Sequence, residues 1–566
     1  MVQHNLQPDG VPPVAPANAW ISRPSADIAP LGAGPLQGLR FAVKDNIDVA
    51  GLPTTAACPE FAYAPEQHAT TVARLLQAGA AVAGKTNLDQ FACGLNGTRS
   101  PYGAVPNAFN PDYVSGGSSS GSAYVVATGQ VDFSLGTDTA GSGRVPAGLN
   151  NIVGLKPSRG LLSNFGLVPA AQSVDCISIF ATTVNMAARV LQAAMGHDPQ
   201  DPYSRKLQLK SRPFPQAFRF GVPDVLEFCG DALAEAAYTR AVQRMTELGG
   251  TPVTIAYAPL AQAASLLYES ALVAERYAAL RSFFDQHETA VVEPVRGIIG
   301  KGRSYGAADV YAAQTQLRAL GQQADAMWDL VDVLLLPTAP THYTIAQMLA
   351  DPVARNRNLG AYTNFVNLLD YAALAVPSEI RPDGLPFGVT LVGPCASDWQ
   401  LADLGQRYHH ATGLPQGATQ NLLPPPRDIA GVAAPTGVRI AVVGAHLSGM
   451  PLNRQLVERG ARLLAEVRTA PDYRLYALPD TVPPKPGLLR VAPGTGKPIA
   501  LEVWDMPQEQ LGSFVALIPE PLGIGTLRLE DGSAVQGFIC EPYALEGARD
   551  ISDFGGWRNY LASLTS

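Results

Sequence analysis

The stretch Gly116–Ser122, GGSSSGS, constrains this chain more than any other. Taken alone, a Gly/Ser run has the composition of a flexible linker. Here it is followed by AYVVATGQVDFSLGTDTAGSGRVPAG (Ala123–Gly148), where a small-residue helix and a short strand lead into a second Gly/Ser turn. Linkers do not sit inside such packing. Ser118 and Ser142 are 142 − 118 = 24 residues apart, enough for a helix and a strand to fold one turn back over the other. The two turns are therefore candidates for a single site.

At 566 residues the chain is too long for one ordinary domain. An apolar share of 47% against a charged share of 16% supports a large core. The balance of 40 Lys+Arg and 48 Asp+Glu gives a net charge of -8, with no basic block to track a phosphate backbone, so nucleic acid is not an expected partner. The N-terminal residues lack the basic and apolar regions of an export signal, and no apolar run approaches membrane-spanning length. No membrane association is expected, and the cytoplasm is the expected compartment. Cys58, Cys93, Cys176, Cys229, Cys395 and Cys540 lack CxxC spacing and read as buried free thiols, without a metal knuckle or redox pair.

The periodicity predicts an α/β catalytic domain over 20–413, a Pro-rich, poorly ordered lead-in over 1–19, a linker over 414–437 and a second domain over 438–566. LRFAVKDNIDVAG (Leu39–Gly51) reads as a strand entering a polar turn and places Lys44, a lone amine, at the strand end. Ala69–Asn87 reads as helix, Gly stop and strand. Helices are expected over Ala232–Leu248, Leu260–Phe284, Ala307–Leu330 and Asp398–Thr412, with a buried strand over Val331–Thr338. Strand alternation restarts at Val438–His446.

Two lookalikes are weaker. Gly117–Gly121 fits the GxSxG nucleophile elbow with Ser119 as nucleophile, but NPDYVSG before it is a poor strand, and His287, His342, His409 and His410 lack an obvious Asp partner. GKT at Gly84–Thr86 lacks the upstream glycine of a P-loop, so Lys85 reads as a structural lysine at a strand end.

Together Lys44, Ser118 and Ser142 resemble the amidase signature family over about Trp20–Pro377, its hallmark being a Gly/Ser-rich segment that ends in a Gly-Ser-x-Arg turn. The resemblance implies an α/β fold with a mixed central sheet flanked by helices, amide hydrolysis, and no metal or organic cofactor. It implies Ser142 as nucleophile, Ser118 on a cis peptide as proton bridge, and Lys44 as base. A serine needs a nearby base, and a lysine can serve only if desolvation populates its neutral form. The backbone of Thr139, Ala140, Gly141 and Ser142 becomes the oxyanion turn, with Ala140 where the family commonly has Gly, so that a positive φ there is costlier. Asp138 and Arg144 read as an ion pair bracing that turn.

LLYESALVAERYAALR (Leu266–Arg281) reads as one helix carrying Tyr268 and Arg276, 8 residues or about two turns apart and hence nearly on one face. With Asn358–Pro377 and the two-domain layout, this segment resembles allophanate hydrolases, which implies that Tyr268 and Arg276 hold a substrate carboxylate. The C-terminal part resembles the second domain of that family, and its GAHLSGMPLN and GSFVALIPEPLGIG segments are similar to the small α+β barrel of γ-glutamylcyclotransferase-like proteins. His446, after a strand and before a Gly/Ser turn, is its candidate acid or base. The family resemblance implies allophanate as the small-molecule substrate, a homodimer, and urea carboxylase as a partner. Related chains carry a helical leader where this one has its Pro-rich stretch. A general amidase and an ammonia-passing subunit of a transamidation complex stay open as alternatives.

Overall fold

The computed structural model describes residues 17–432, 437–479 and 481–565. The lead-in expected over 1–19 falls mostly outside them. The chain divides into two compact units, Met1–Val432 and Ala433–Ser566.

The first unit is built on one mixed sheet of β1 Trp20–Ser22, β2 Arg40–Lys44, β3 Ala81–Thr86, β4 Phe133–Asp138, β5 Val153–Lys156, β6 Cys176–Ala181, β7 Phe218–Pro223, β8 Gly250–Ile255, β9 Val333–Pro337, β10 Ala372–Ile380 and β11 Pro386–Gly393. Their order across the sheet is β1-β3-β2-β4-β6-β5-β10-β11-β9-β7-β8. β2 runs parallel to both β3 and β4, so Lys44 and Asp138 close neighbouring strands at the same edge of the sheet. Carboxyl ends of parallel strands are where α/β sheets gather ligands.

Helices cover the sheet because their apolar stripes find it. In α1, Thr70–Gln77, the buried residues are Thr71, Val72, Leu75 and Leu76, one face at helical spacing. The helix after the Gly/Ser run, α2 Ser120–Ala127, differs in being buried all round. Its small residues are what let it sit there: a Cβ on Gly121 would fall 2.3 Å from the Ala19 carbonyl oxygen, and one on Gly136 of β4 would fall 2.7 Å from Ser119 Oγ. The run is a packing element, and the expectation that it is no linker is met.

The helix expected over Leu260–Phe284 is two helices. Ser270 adopts ψ −179, gives its hydroxyl proton to the Leu266 carbonyl and accepts from the Leu272 N–H, so it ends one helix at Glu269 and starts the next turn at once. Ala258–Glu269 carries Tyr268, and Ala274–His287 carries Arg276. The segment after Leu414 packs on its own unit as far as Val432: Asn151 Nδ2 donates to the Pro415 and Gly417 carbonyls, Ala418 N–H to the Ala127 carbonyl, and Ile429 enters the core. Residues 433–436 of the expected linker lie outside the described residues. Of the six thiols, Cys58, Cys93, Cys176 and Cys540 are buried, whereas Cys229 is exposed and Cys395 half-buried, because both lie in surface turns.

The second unit has a five-stranded sheet, in spatial order Arg462–Arg468, Ala500–Pro507, Gly437–Val442, Ala534–Cys540 and Leu522–Arg528, and a three-stranded sheet of Pro486–Arg490, Tyr473–Ala477 and Arg549–Asp550. Its core gathers Ile440, Val442, Leu475, Trp504, Met506, Phe514 and Trp557. Among the described residues no helix is long and apolar enough to cross a membrane.

Candidate active site

Lys44 Nζ is fully buried and donates to two hydroxyls, Ser118 Oγ at 2.8 Å and Thr137 Oγ1 at 2.7 Å. It makes no ion pair among the described residues. Burial lowers its pKa to about 7, against the upward pull of Asp89, Asp175 and Asp138. A substantial neutral fraction therefore exists near neutral pH. The peptide bond entering Ser118 is cis.

Ser142 Oγ lies in the turn beyond β4 and contacts the Gly94 carbonyl oxygen at 3.4 Å. Lys44 and Ser118 are thus in direct contact, while the hydrogen bond that Ser142 makes is to Gly94, and none joins it to Ser118 among the described residues. The turn itself is tightly braced. Arg144 donates from Nε and Nη2 to the Asp138 carboxylate, each at 2.9 Å, and also to the Thr363 carbonyl and Asn367 Oδ1, as the bracing role requires. Positive φ falls on Gly141, where a Cβ would stand 2.3 Å from Thr363 Oγ1, and Ala140 has none. Ala140 therefore costs the turn nothing. Ala140, Gly141 and Ser142 are buried residues, and their N–H groups have no hydrogen-bond partner among the described residues. Buried orphan donors are rare, and three in one turn form a place for a developing negative oxygen.

Arg276 and Tyr268 meet although they occupy separate helices. Nη2 lies 3.3 Å from the Tyr268 hydroxyl, and the guanidinium stands 5.0 Å from the ring centroid. Arg276 is 2% exposed, and its Nε and Nη1 have no partner among the described residues. A buried cation with two free donors is an anion site.

Several participants escaped sequence reasoning. Thr137 holds Lys44, the Gly94 carbonyl faces Ser142, and Asp175 takes the Thr139 hydroxyl and the Ala170 and Ala171 N–H groups. Burial raises the Asp175 pKa to about 6. The available signal was a lone acid directly ahead of the apolar run CISIFA. Ser119 of the rejected elbow is structural, its hydroxyl exchanging hydrogen bonds with the Thr137 backbone. Lys85 is structural as well, 3.0 Å from Asp45.

In the second unit His446 follows the strand Gly437–Val442. Its Nε2 is 2.8 Å from Gln455 Oε1, and its ring stacks on Phe538 and meets Phe514 edge-on. Burial lowers its pKa. Two residues on, Ser448 binds Glu502, a buried carboxylate that also takes Trp504 Nε1 and Arg558, and which the sequence did not single out.

Residues 21–402 match the Amidase family, and residues 438–562 match the Allophanate hydrolase C-terminal domain. The chain belongs to the amidase family and is an amidohydrolase with the allophanate hydrolase C-terminal domain appended. A urea amidolyase of Lachancea kluyveri is 45% identical over 546 residues, 94% of this chain and 30% of the relative. The allophanate hydrolase structure of Kluyveromyces lactis is similar at 44% identity and a TM-score of 0.78, covering 94% of this chain and 89% of that one. The K. lactis urea amidolyase structure gives 43% and 0.79, covering 94% of this chain and 33% of that one. The chain therefore spans about a third of the length of the urea amidolyases it matches.

Proposed function

We propose that this chain hydrolyses allophanate, the first unit cleaving its terminal amide and the second processing the product. The observation that carries the reading is Arg276, a buried guanidinium beside the Tyr268 hydroxyl with Nε and Nη1 unpartnered among the described residues. A substrate carboxylate supplies what these donors lack, and an uncharged amide leaves them unsatisfied.

In the cycle, Ser142 turns from the Gly94 carbonyl toward Ser118. Neutral Lys44 takes the Ser118 proton as Ser118 takes that of Ser142, and Ser142 Oγ bonds to the terminal carbonyl carbon. The N–H groups of Ala140, Gly141 and Ser142, and that of Thr139 at the start of the turn, stabilise the oxyanion. The proton returns by the same path to the leaving nitrogen, the C–N bond breaks, and ammonia departs. Water then adds to the acyl-enzyme with the same relay, which releases N-carboxycarbamate and restores Ser142. In the second unit His446 takes a proton from water and passes it to the nitrogen of that dianion as carbon dioxide leaves. The chain's own groups supply every proton transfer in this scheme, with no cofactor entering it.

Its substrate would be supplied by carboxylation of urea, which makes urea carboxylase a partner, and the reading extends to a homodimer working in the cytoplasm. The test is a small amide panel with ammonia detection. Allophanate turned over with kcat/KM at least about 10²-fold above a neutral aliphatic amide supports the reading; equal turnover of both refutes it.

A further inference from the structure

Tyr268 lines a cavity of about 710 Å³ together with Tyr257, Tyr362 and Asn356. A space in the range that holds drug-sized ligands does not select a small anionic amide by size. Selection falls to polar groups whose position is fixed. Asn356 is one. It is 6% exposed, and its Oδ1 accepts from the Leu95 N–H and from Asn96 Nδ2, both at 2.8 Å. Two donors on the oxygen settle which end of the amide is which. The NH2 group has no hydrogen-bond partner among the described residues, and the side chain borders the cavity.

The same loop connects Asn356 to the nucleophile. The peptide group between Gly94 and Leu95 offers its carbonyl to Ser142 Oγ at 3.4 Å and its N–H to Asn356 Oδ1. One rigid peptide plane thus separates the serine from the amide, which lines the same cavity as Tyr268.

We infer that Asn356 is a specificity-determining residue whose amide NH2 donates to the anionic end of the substrate, alongside Tyr268 and Arg276. The inference rests on the carboxylate reading of that pair. Asn356→Asp is the informative substitution, because the carboxylate still accepts from Leu95 and Asn96 while it sets an anion where a donor stood. The full chain is assayed with allophanate and with propionamide, and the ratio of the two kcat/KM values is compared between wild type and variant.

The wild type is expected to prefer allophanate, and Asn356→Asp to lower that ratio by about 10²-fold or more, chiefly through KM. Asn356→Ala, which removes the donor without adding charge, is expected to lower it by about tenfold and serves equally if the Asp variant does not fold. A purely structural role would slow both substrates alike and leave the ratio unmoved. A ratio within twofold of wild type in a folded variant overturns the inference while the carboxylate reading stands. A wild type with no preference for allophanate overturns both.

Discussion

The first unit holds two matched pairs of buried cations, and each pair contains one satisfied member and one that is not. Arg144 is fully enclosed and spends its donors on Asp138, Thr363 and Asn367. Arg276 is also buried but has Nε and Nη1 free among the described residues. Lys85 stands 3.0 Å from Asp45 with Thr54 and the Pro53 carbonyl completing its shell, whereas Lys44, on the adjacent strand, meets only hydroxyls among the described residues. The satisfied members hold turns and strands in place. The others keep capacity for chemistry: an amine without a counter-ion loses its proton easily, and a guanidinium with open donors waits for an anion.

The contrast can be broken by substitution. The largest effect belongs to Ser142→Ala and Lys44→Met, each expected to lower ammonia release from allophanate by at least about 10³-fold with the melting temperature little changed. Native turnover by Ser142→Ala would remove the nucleophile from that serine. Lys85→Met strands Asp45 in the interior and is expected to lower stability by roughly 3–5 kcal/mol, read by denaturant titration, so the two lysine variants fail in different assays.

The arginines divide in the same way. Arg144→Met leaves Asp138 buried without its partner and is expected to destabilise by about 3–5 kcal/mol. Arg276→Met removes an unpaired charge, so the fold should not lose stability, but KM for allophanate rises by about 10²-fold. Similar melting losses in both would erase the distinction. In the second unit His446→Ala is expected to slow carbon dioxide release by about 10²-fold while cleavage of the terminal amide continues; an unchanged carbon dioxide rate would move the second step elsewhere.

The smallest expected effect is also the most specific to Lys44. Its working form is neutral, so kcat/KM climbs tenfold per pH unit and levels off above a pKa of about 7. Asp175 lends a negative field that favours the protonated amine. Asp175→Asn is therefore expected to move the acid limb to lower pH, and a limb moving upward would contradict the field as its cause.

Much of this was legible in the residues. The spacing of Ser118 and Ser142, the strand-end position of Lys44 and the strand-helix order of the first unit can be read from local pattern, because small residues, alternation and helical stripes act over a few residues. The spacing of Tyr268 and Arg276 predicts a shared helix face, and Ser270 divides that helix; they meet all the same, since the short connection between the two helices keeps the pair close. Thr137, Gly94, Asp175 and Asn356 gave little signal, because each acts through a partner far away in sequence or through its backbone.

The chain's order of residues alone therefore determined which chemical groups are available: one strand-end amine, two turn serines, an arginine and a tyrosine nearby. Only the tertiary structure decided which of the buried charges would be met and which left open. That outcome depends on carbonyls, carboxylates and hydroxyls carried in from distant segments, and a lysine beside a carboxylate and a lysine beside two hydroxyls are the same letter in the sequence.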